Sequence, residues 1–127
     1  MATPSPQAKN GVRSYKDLIV WKKAIELVGA VYELTNQFPQ TEIYGLTSQM
    51  KRSAISIPSN IAEGSRRGTP KDYRHFLLNS FGSGAELETQ IVLAKTLPFG
   101  KNLNYEKVDT ILEEIMKMLN TLIRTLR

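Results

Sequence analysis

KRSAISIPSNIAEGSRRGTPKDYR, residues 51 to 74, decides the fold of this chain, because it holds the end of one predicted helix, a connection and the start of the next. In its first half Ala54, Ile57 and Ile61 recur at helical spacing, while Ser53, Ser56, Ser59 and Ala62 crowd the rest with small side chains. Pro58 lies inside that pattern, where the missing N–H and the ring clash cost an ordinary helix about 3 kcal/mol. Ile57 and Ile61 keep the apolar phase across the proline, so the reading is a helix kinked at Pro58 that ends near Ala62. Gly64 then supplies a left-handed stop. In the second half Thr69-Pro70-Lys71-Asp72 is a helix start, with Thr as the cap, Pro at the first helical position and Asp where a capping-box acid belongs.

Working outward, the helix that contains Pro58 begins near Thr41 or Glu42 and carries Ile43, Leu46 and Met50 on the same stripe. The helix that starts at Thr69 takes Tyr73, Phe76, Leu77, Ser80, Phe81, Gly84, Leu87, Ile91 and Ala94 inward and ends near Leu97, before Pro98 and Gly100. Gly82-Ser83-Gly84 stands midway, and each Gly costs about 1 kcal/mol against Ala in a helix. Close approach to the small face of the second helix, or to another subunit, is one reason for the cluster, and a local weakness without a role is the other.

Toward the N-terminus, Leu18, Trp21, Ile25, Val28 and Tyr32 form the main stripe of a first helix from about Lys16 to Phe38. Val20, Ala24, Leu27, Val31, Leu34 and Phe38 form its flanking row, and Phe38-Pro39 ends it. Toward the C-terminus, Asn104 caps a fourth helix, with Leu103 stapled onto Val108 and with Leu112, Ile115, Leu119, Leu122 and Leu126 at heptad spacing. Four stripes joined by three short connections predict an all-α fold, an antiparallel up-down-up-down four-helix bundle. Residues 1–14 have no apolar period and read as a flexible basic arm ahead of a single domain at 15–127.

The composition narrows the function. Cysteine is absent, which removes disulfides, thiol nucleophiles and cysteine-ligated zinc. No apolar run suits a membrane span or a secretory signal, so a cytoplasmic setting without membrane insertion is expected. The net charge of +5 leans toward polyanions, and topology sharpens that lean. An up-down bundle brings the first helix start, the second connection, the third helix start and the fourth helix end to one pole. Lys9, Arg13, Lys16, Lys22, Lys23, Arg66, Arg67, Lys71, Arg74, Arg124 and Arg127 fall there. Only Asp17, Glu63 and Asp72 oppose them. Eleven cations and three acids leave +8 at this pole; six cations and nine acids leave −3 elsewhere. Arginine offers the planar fork suited to phosphate, and the first turn of the third helix adds free N–H groups. Tyr73 and His75 are candidates to stack on a base, with the core the simpler place for Tyr73. The competing reading is structural: these cations cover helix-end carbonyls and pair with nearby acids such as Glu63.

Enzymatic chemistry finds little support. A di-iron bundle needs two acid-x-x-His motifs and two more carboxylates, and this chain has one His. Asp72 and His75 have the spacing once, at a helix start that explains Asp72 by capping. Glu86 and Glu88 lie on different faces of one helix. No catalytic, cofactor-binding or metal residue is assigned, and no cofactor is expected.

Three stretches, YKDLIVWKKAIELV at 15–28, SQMKRSAISIPSNIAEGSRRGTPKDYRHFL at 48–77 and GSGAELETQIVLAK at 82–95, carry a resemblance. With SIPSNIAEG at 56–64 as the most specific run, the chain resembles the four-helix-bundle family named for the 23S rRNA intervening sequence protein. That family is similar to the accessory variability determinant of diversity-generating retroelements. The resemblance implies a non-enzymatic bundle that assembles as a homopentameric ring with a basic surface, in some members a partner of a reverse transcriptase and its RNA. It adds Lys51 and Arg52 to the candidate RNA or DNA contacts and supports Arg67 and Lys71. A ring would also give Ser53, Ser56, Pro58, Ser59, Gly82 and Gly84 a role as close-packing surface.

Overall fold

The computed structural model describes residues 14–126. Residues 1–13 and Arg127 lie outside the described residues, and with them most of the expected arm at 1–14 and the candidates Lys9, Arg13 and Arg127. Four helices make up the fold: α1 (Ile19–Thr35), α2 (Leu46–Ser65), α3 (Pro70–Thr96) and α4 (Glu106–Thr125). Each packs on its neighbours in sequence and α1 also packs on α4, while the diagonal pairs do not meet. This is the closed antiparallel bundle expected. The core runs along its axis and includes Leu27, Met50, Ile57, Ile61, Leu77, Leu87, Ile115 and Leu119, all fully buried.

Several boundaries differ from the sequence reading for local reasons. The helix expected from Lys16 starts at Ile19, because Ser14 accepts a hydrogen bond from the Lys16 N–H and winds Tyr15–Asp17 into a 3-10 turn, after which Leu18 is extended. It ends at Thr35, before the turn that leads to Phe38 and Pro39. The flanking row of α1 is the more deeply placed: Val20, Ala24, Leu27, Val31 and Leu34 are buried, whereas Leu18, Trp21 and Val28 of the main stripe are half-buried against the core and Ile25 and Tyr32 are 46% and 43% exposed. Ala24 and Ala30 are buried with the flanking row.

A 3-10 turn at Gln40–Glu42 precedes α2, and Glu42 Oε1 accepts from the Leu46 N–H at 3.2 Å, so the helix begins at Leu46 rather than at Thr41. α2 then runs through the buried Pro58 to Ser65. Side chains donate to the carbonyls beside the proline: Ser59 to Ile55 at 2.8 Å, Asn60 to Ser56 at 2.9 Å, and Ser80 of α3 to Ile57 at 2.8 Å. These bonds lie around the proline, whereas the carbonyl that Pro58 leaves without its helical N–H donor is that of Ala54.

Gly64 is not the left-handed stop. It is buried inside α2, where a Cβ would stand 2.7 Å from the Cβ of Phe76, so glycine is required by close approach of α3. Gly68, at φ 91°, takes the left-handed position and turns the chain toward Thr69. The α3 start is as expected, with Thr69 Oγ1 accepting from the Asp72 N–H at 3.1 Å. At the start of α4, Asn104 Oδ1 accepts from the Glu106 N–H at 2.9 Å.

The small-residue set divides. Ser53, Pro58 and Gly84 are buried within the chain, and the Ser56 and Ser83 hydroxyls lie 2.8 Å apart between α2 and α3. Gly84 gives room to Met116 of α4. Ser59 and Gly82 are exposed and take no part in this packing.

Candidate nucleic-acid interface

Two contacts tie one end of the bundle together. Arg74, in the first turns of α3, donates from Nε to the Ile123 carbonyl near the end of α4 at 3.3 Å. Arg66, in the α2–α3 connection, lies over the ring of Tyr15 just before α1, 5.3 Å from its centroid. At the other end Phe38 and Phe99 meet edge to face at 5.0 Å, where the α1–α2 and α3–α4 connections begin. The segments expected to share a pole therefore share it. Lys16, Lys22, Arg66, Lys71 and Arg124 are exposed there and form no ion pair among the described residues.

Other candidates are engaged within the protein. Arg67 pairs with Glu63 at 2.9 Å, one turn back on α2, and its guanidinium lies 4.7 Å from the centroid of Phe76. The pair is half exposed and contributes less than about 1 kcal/mol to stability. Its larger effect is to hold Arg67 over an aromatic face. Arg74 is half-buried and satisfies a helix-end carbonyl, where a cation also suits the helix dipole. Lys23 bridges to Glu114 at 3.0 Å across the α1–α4 seam. Asp72 uses its N–H in the α3 cap. Arg67, Arg74 and Lys23 thus each have a partner within the protein, as the competing structural reading expects.

Lys51 and Arg52 do not join the pole. Lys51 sits over the Tyr32 ring at 4.4 Å, and Arg52 reaches Ser48 Oγ at 3.4 Å. They stand about 20 Å along α2 from Arg66, at 1.5 Å per residue. Tyr73 packs against the core, and burial pushes its phenol up to about 12. That leaves His75, exposed and edge-on to Phe76 at 5.4 Å, as the ring available for stacking.

Sequence reasoning missed the aromatic floor of this end. Tyr15 carries Arg66 and meets Trp21 edge to face at 5.3 Å, and Phe76 carries Arg67. The signal was present in the pairing of an Arg-Arg connection with aromatic residues at both helix starts it approaches.

Among the described residues, no group of three or more His, Cys, Asp or Glu could hold a metal ion, and no helix is long and apolar enough to cross a membrane. The chain is a small antiparallel bundle with basic residues gathered at one pole. The family follows from the sequence itself: a model described as 23S rRNA-intervening sequence protein matches residues 16–121, and the chain belongs to that family. Comparison with curated proteins gives no match.

Proposed function

We propose that the protein is a non-enzymatic, oligomeric accessory protein of the cytoplasm that binds structured RNA, alone or with a reverse transcriptase, through phosphate contacts at its basic pole. One observation carries this reading: exposed cations from the start of α1, the α2–α3 connection, the start of α3 and the end of α4 converge on one end of the bundle. Solubility needs charge but does not need it gathered, whereas a phosphate backbone does. The first-turn N–H groups of α3 add donors to the same end. With few groups placed to read base edges, such binding takes its affinity from the backbone and its preference from RNA shape. The resemblance to retroelement accessory proteins supports a homopentamer and a reverse transcriptase partner.

A titration of a structured RNA against rising salt tests the reading. Affinity should fall log-linearly, with a slope of about −0.7 to −0.9 for each phosphate neutralised. Replacing Arg66, Lys71 and Arg124 with Glu should abolish it. Affinity that ignores salt, or survives those replacements, overturns the proposal.

A second reading has its own support. Because Arg67, Lys23 and Arg74 are engaged in the protein's own contacts, the pole can also serve a protein assembly without direct nucleic-acid contact. Under that reading the triple replacement leaves nucleic-acid behaviour unchanged and alters capture of an acidic protein partner.

A further inference from the structure

A polar groove of about 510 Å³ lies between α2 and α3, away from the basic pole, and its two walls carry opposite charge. The contact of Ser56 with Ser83 sets the register of the helices. Counting back along α2 from Ser56 leads to Ser53 and Arg52, and counting on along α3 from Ser83 leads to Glu86. Arg52 and Glu86 thus line the groove from opposite helices within about 2 Å of one height, at 1.5 Å per residue. No ion pair joins them among the described residues, and Arg52 makes a long contact to Ser48 Oγ at 3.4 Å.

One turn further along α3 stands Gln90, whose Oε1 is buried without a hydrogen-bond partner among the described residues. A buried acceptor left without a donor is costly, so this atom marks a place for a donor that the chain does not supply. Tyr44 borders the same groove with its side chain 94% exposed, an aromatic plane that the core does not use.

The α2 wall therefore donates through Arg52, and the α3 wall accepts through Glu86 and Gln90. A flat ligand with paired acceptors on one edge and paired donors on another answers both walls, and among the bases that pattern is guanine. Its O6 and N7 take the fork of an arginine, while N1–H and N2–H₂ together fill the two oxygens of a carboxylate. The second hydrogen of N2 suits Gln90 Oε1. Adenine and cytosine instead turn a ring acceptor toward a carboxylate, and uracil offers it a single N–H between two carbonyls. Tyr44 supplies the surface on which an unpaired base stacks.

We infer that this groove holds an unpaired guanine, so that RNA bound by its phosphates at the pole is also read at one base. The inference deepens the RNA reading proposed above and rests on it for the source of the guanine. Arg52 stands about 20 Å along α2 from Arg66, a span that about six stacked nucleotides cover at 3.4 Å each. Arg52, which does not join the pole, thereby has a task of its own.

Nucleosides test this without engaging the pole, because they carry no phosphate. Titrated into the full chain and followed by amide shifts in NMR spectra, guanosine should bind with changes centred on Ser53, Ser83 and Gln90. Adenosine should bind about 5- to 150-fold more weakly, the discrimination expected of a bidentate base contact. Inosine, which lacks the N2 amino group, should fall between them. Glu86 is exposed, so Glu86→Gln should leave circular dichroism unchanged, yet it should remove the preference for guanosine over adenosine. Replacing Arg66, Lys71 and Arg124 with Glu should leave guanosine binding as in the parent while abolishing RNA binding. A chain that binds no guanosine, binds adenosine equally well, or keeps its preference in Glu86→Gln overturns the assignment of the groove. A parent that binds guanosine but no structured RNA overturns the RNA reading instead.

Discussion

Gly64 and Gly84 look alike in the sequence and differ in what surrounds them. A methyl at Gly64 meets the Cβ of Phe76 at 2.7 Å and the carbonyl oxygen of Tyr73 at 3.3 Å, atoms fixed by the α3 backbone. Gly64→Ala should therefore destabilise the fold by about 1–3 kcal/mol, the range for overpacking a filled site. At Gly84 the obstruction is the thioether of Met116, the far end of a flexible side chain on α4. Gly84→Ala should stay within about 1 kcal/mol of the parent, because better helix propensity offsets the displacement. Urea melts of the two variants decide it, and equal midpoints would mean that α2 and α3 are not so close at Gly64. The sequence reading assigned Gly64 to a turn because a glycine two residues after Ala62 is what a helix end requires. The opposing Phe76 lies twelve residues further on, and no local pattern connects the two.

Among the elements, α3 shows where sequence chemistry is sufficient. Thr69, Pro70 and Asp72 fix its first turn through local bonds, so its start was legible to the residue. Thr69→Ala removes the hydroxyl that accepts from the Asp72 N–H and should lower stability by about 1 kcal/mol, seen as a lower thermal midpoint. Thr69→Ser should recover most of the loss. α1 shows the limit. Its two apolar rows lie side by side around one helix, and periodicity states only that both are apolar. Which row is buried more deeply depends on where α2 and α4 lie, and they cover the row of Val20, Ala24, Leu27, Val31 and Leu34. The start of α2 was misplaced for a related reason: Glu42 reads as part of a helix, but its carboxylate caps one from outside.

At the scale of the molecule, topology turned a weak global charge into a located one, and this made the pole legible before any contact was known. It could not show which cations are engaged, because the Glu114 that holds Lys23 and the carbonyl that holds Arg74 are remote in sequence. Salt should separate the two roles. The ion pairs of Lys23 with Glu114 and of Lys107 with Glu33 link α1 to α4 but are largely solvated, each contributing less than about 1 kcal/mol. Raising salt toward 1 M should thus shift the unfolding midpoint little while RNA affinity falls by orders of magnitude. A large loss of stability in salt would mean that the helices are joined by charge more than by the core.

The short α2–α3 connection bears on how the chain reaches this state. Only residues 66–69 separate two helices that share the most extensive contact in the bundle, so that hairpin closes at small entropic cost and can form early. The α1–α4 contact joins residues from opposite ends of the chain and closes a far longer loop. The basic end needs contributions from both, since Arg66 finds Tyr15 and Arg74 finds the Ile123 carbonyl only after docking. On the proposed function, a polyanion held at that end would bind the finished fold and not the hairpin, and by mass action would stabilise the docked state of the two outer helices.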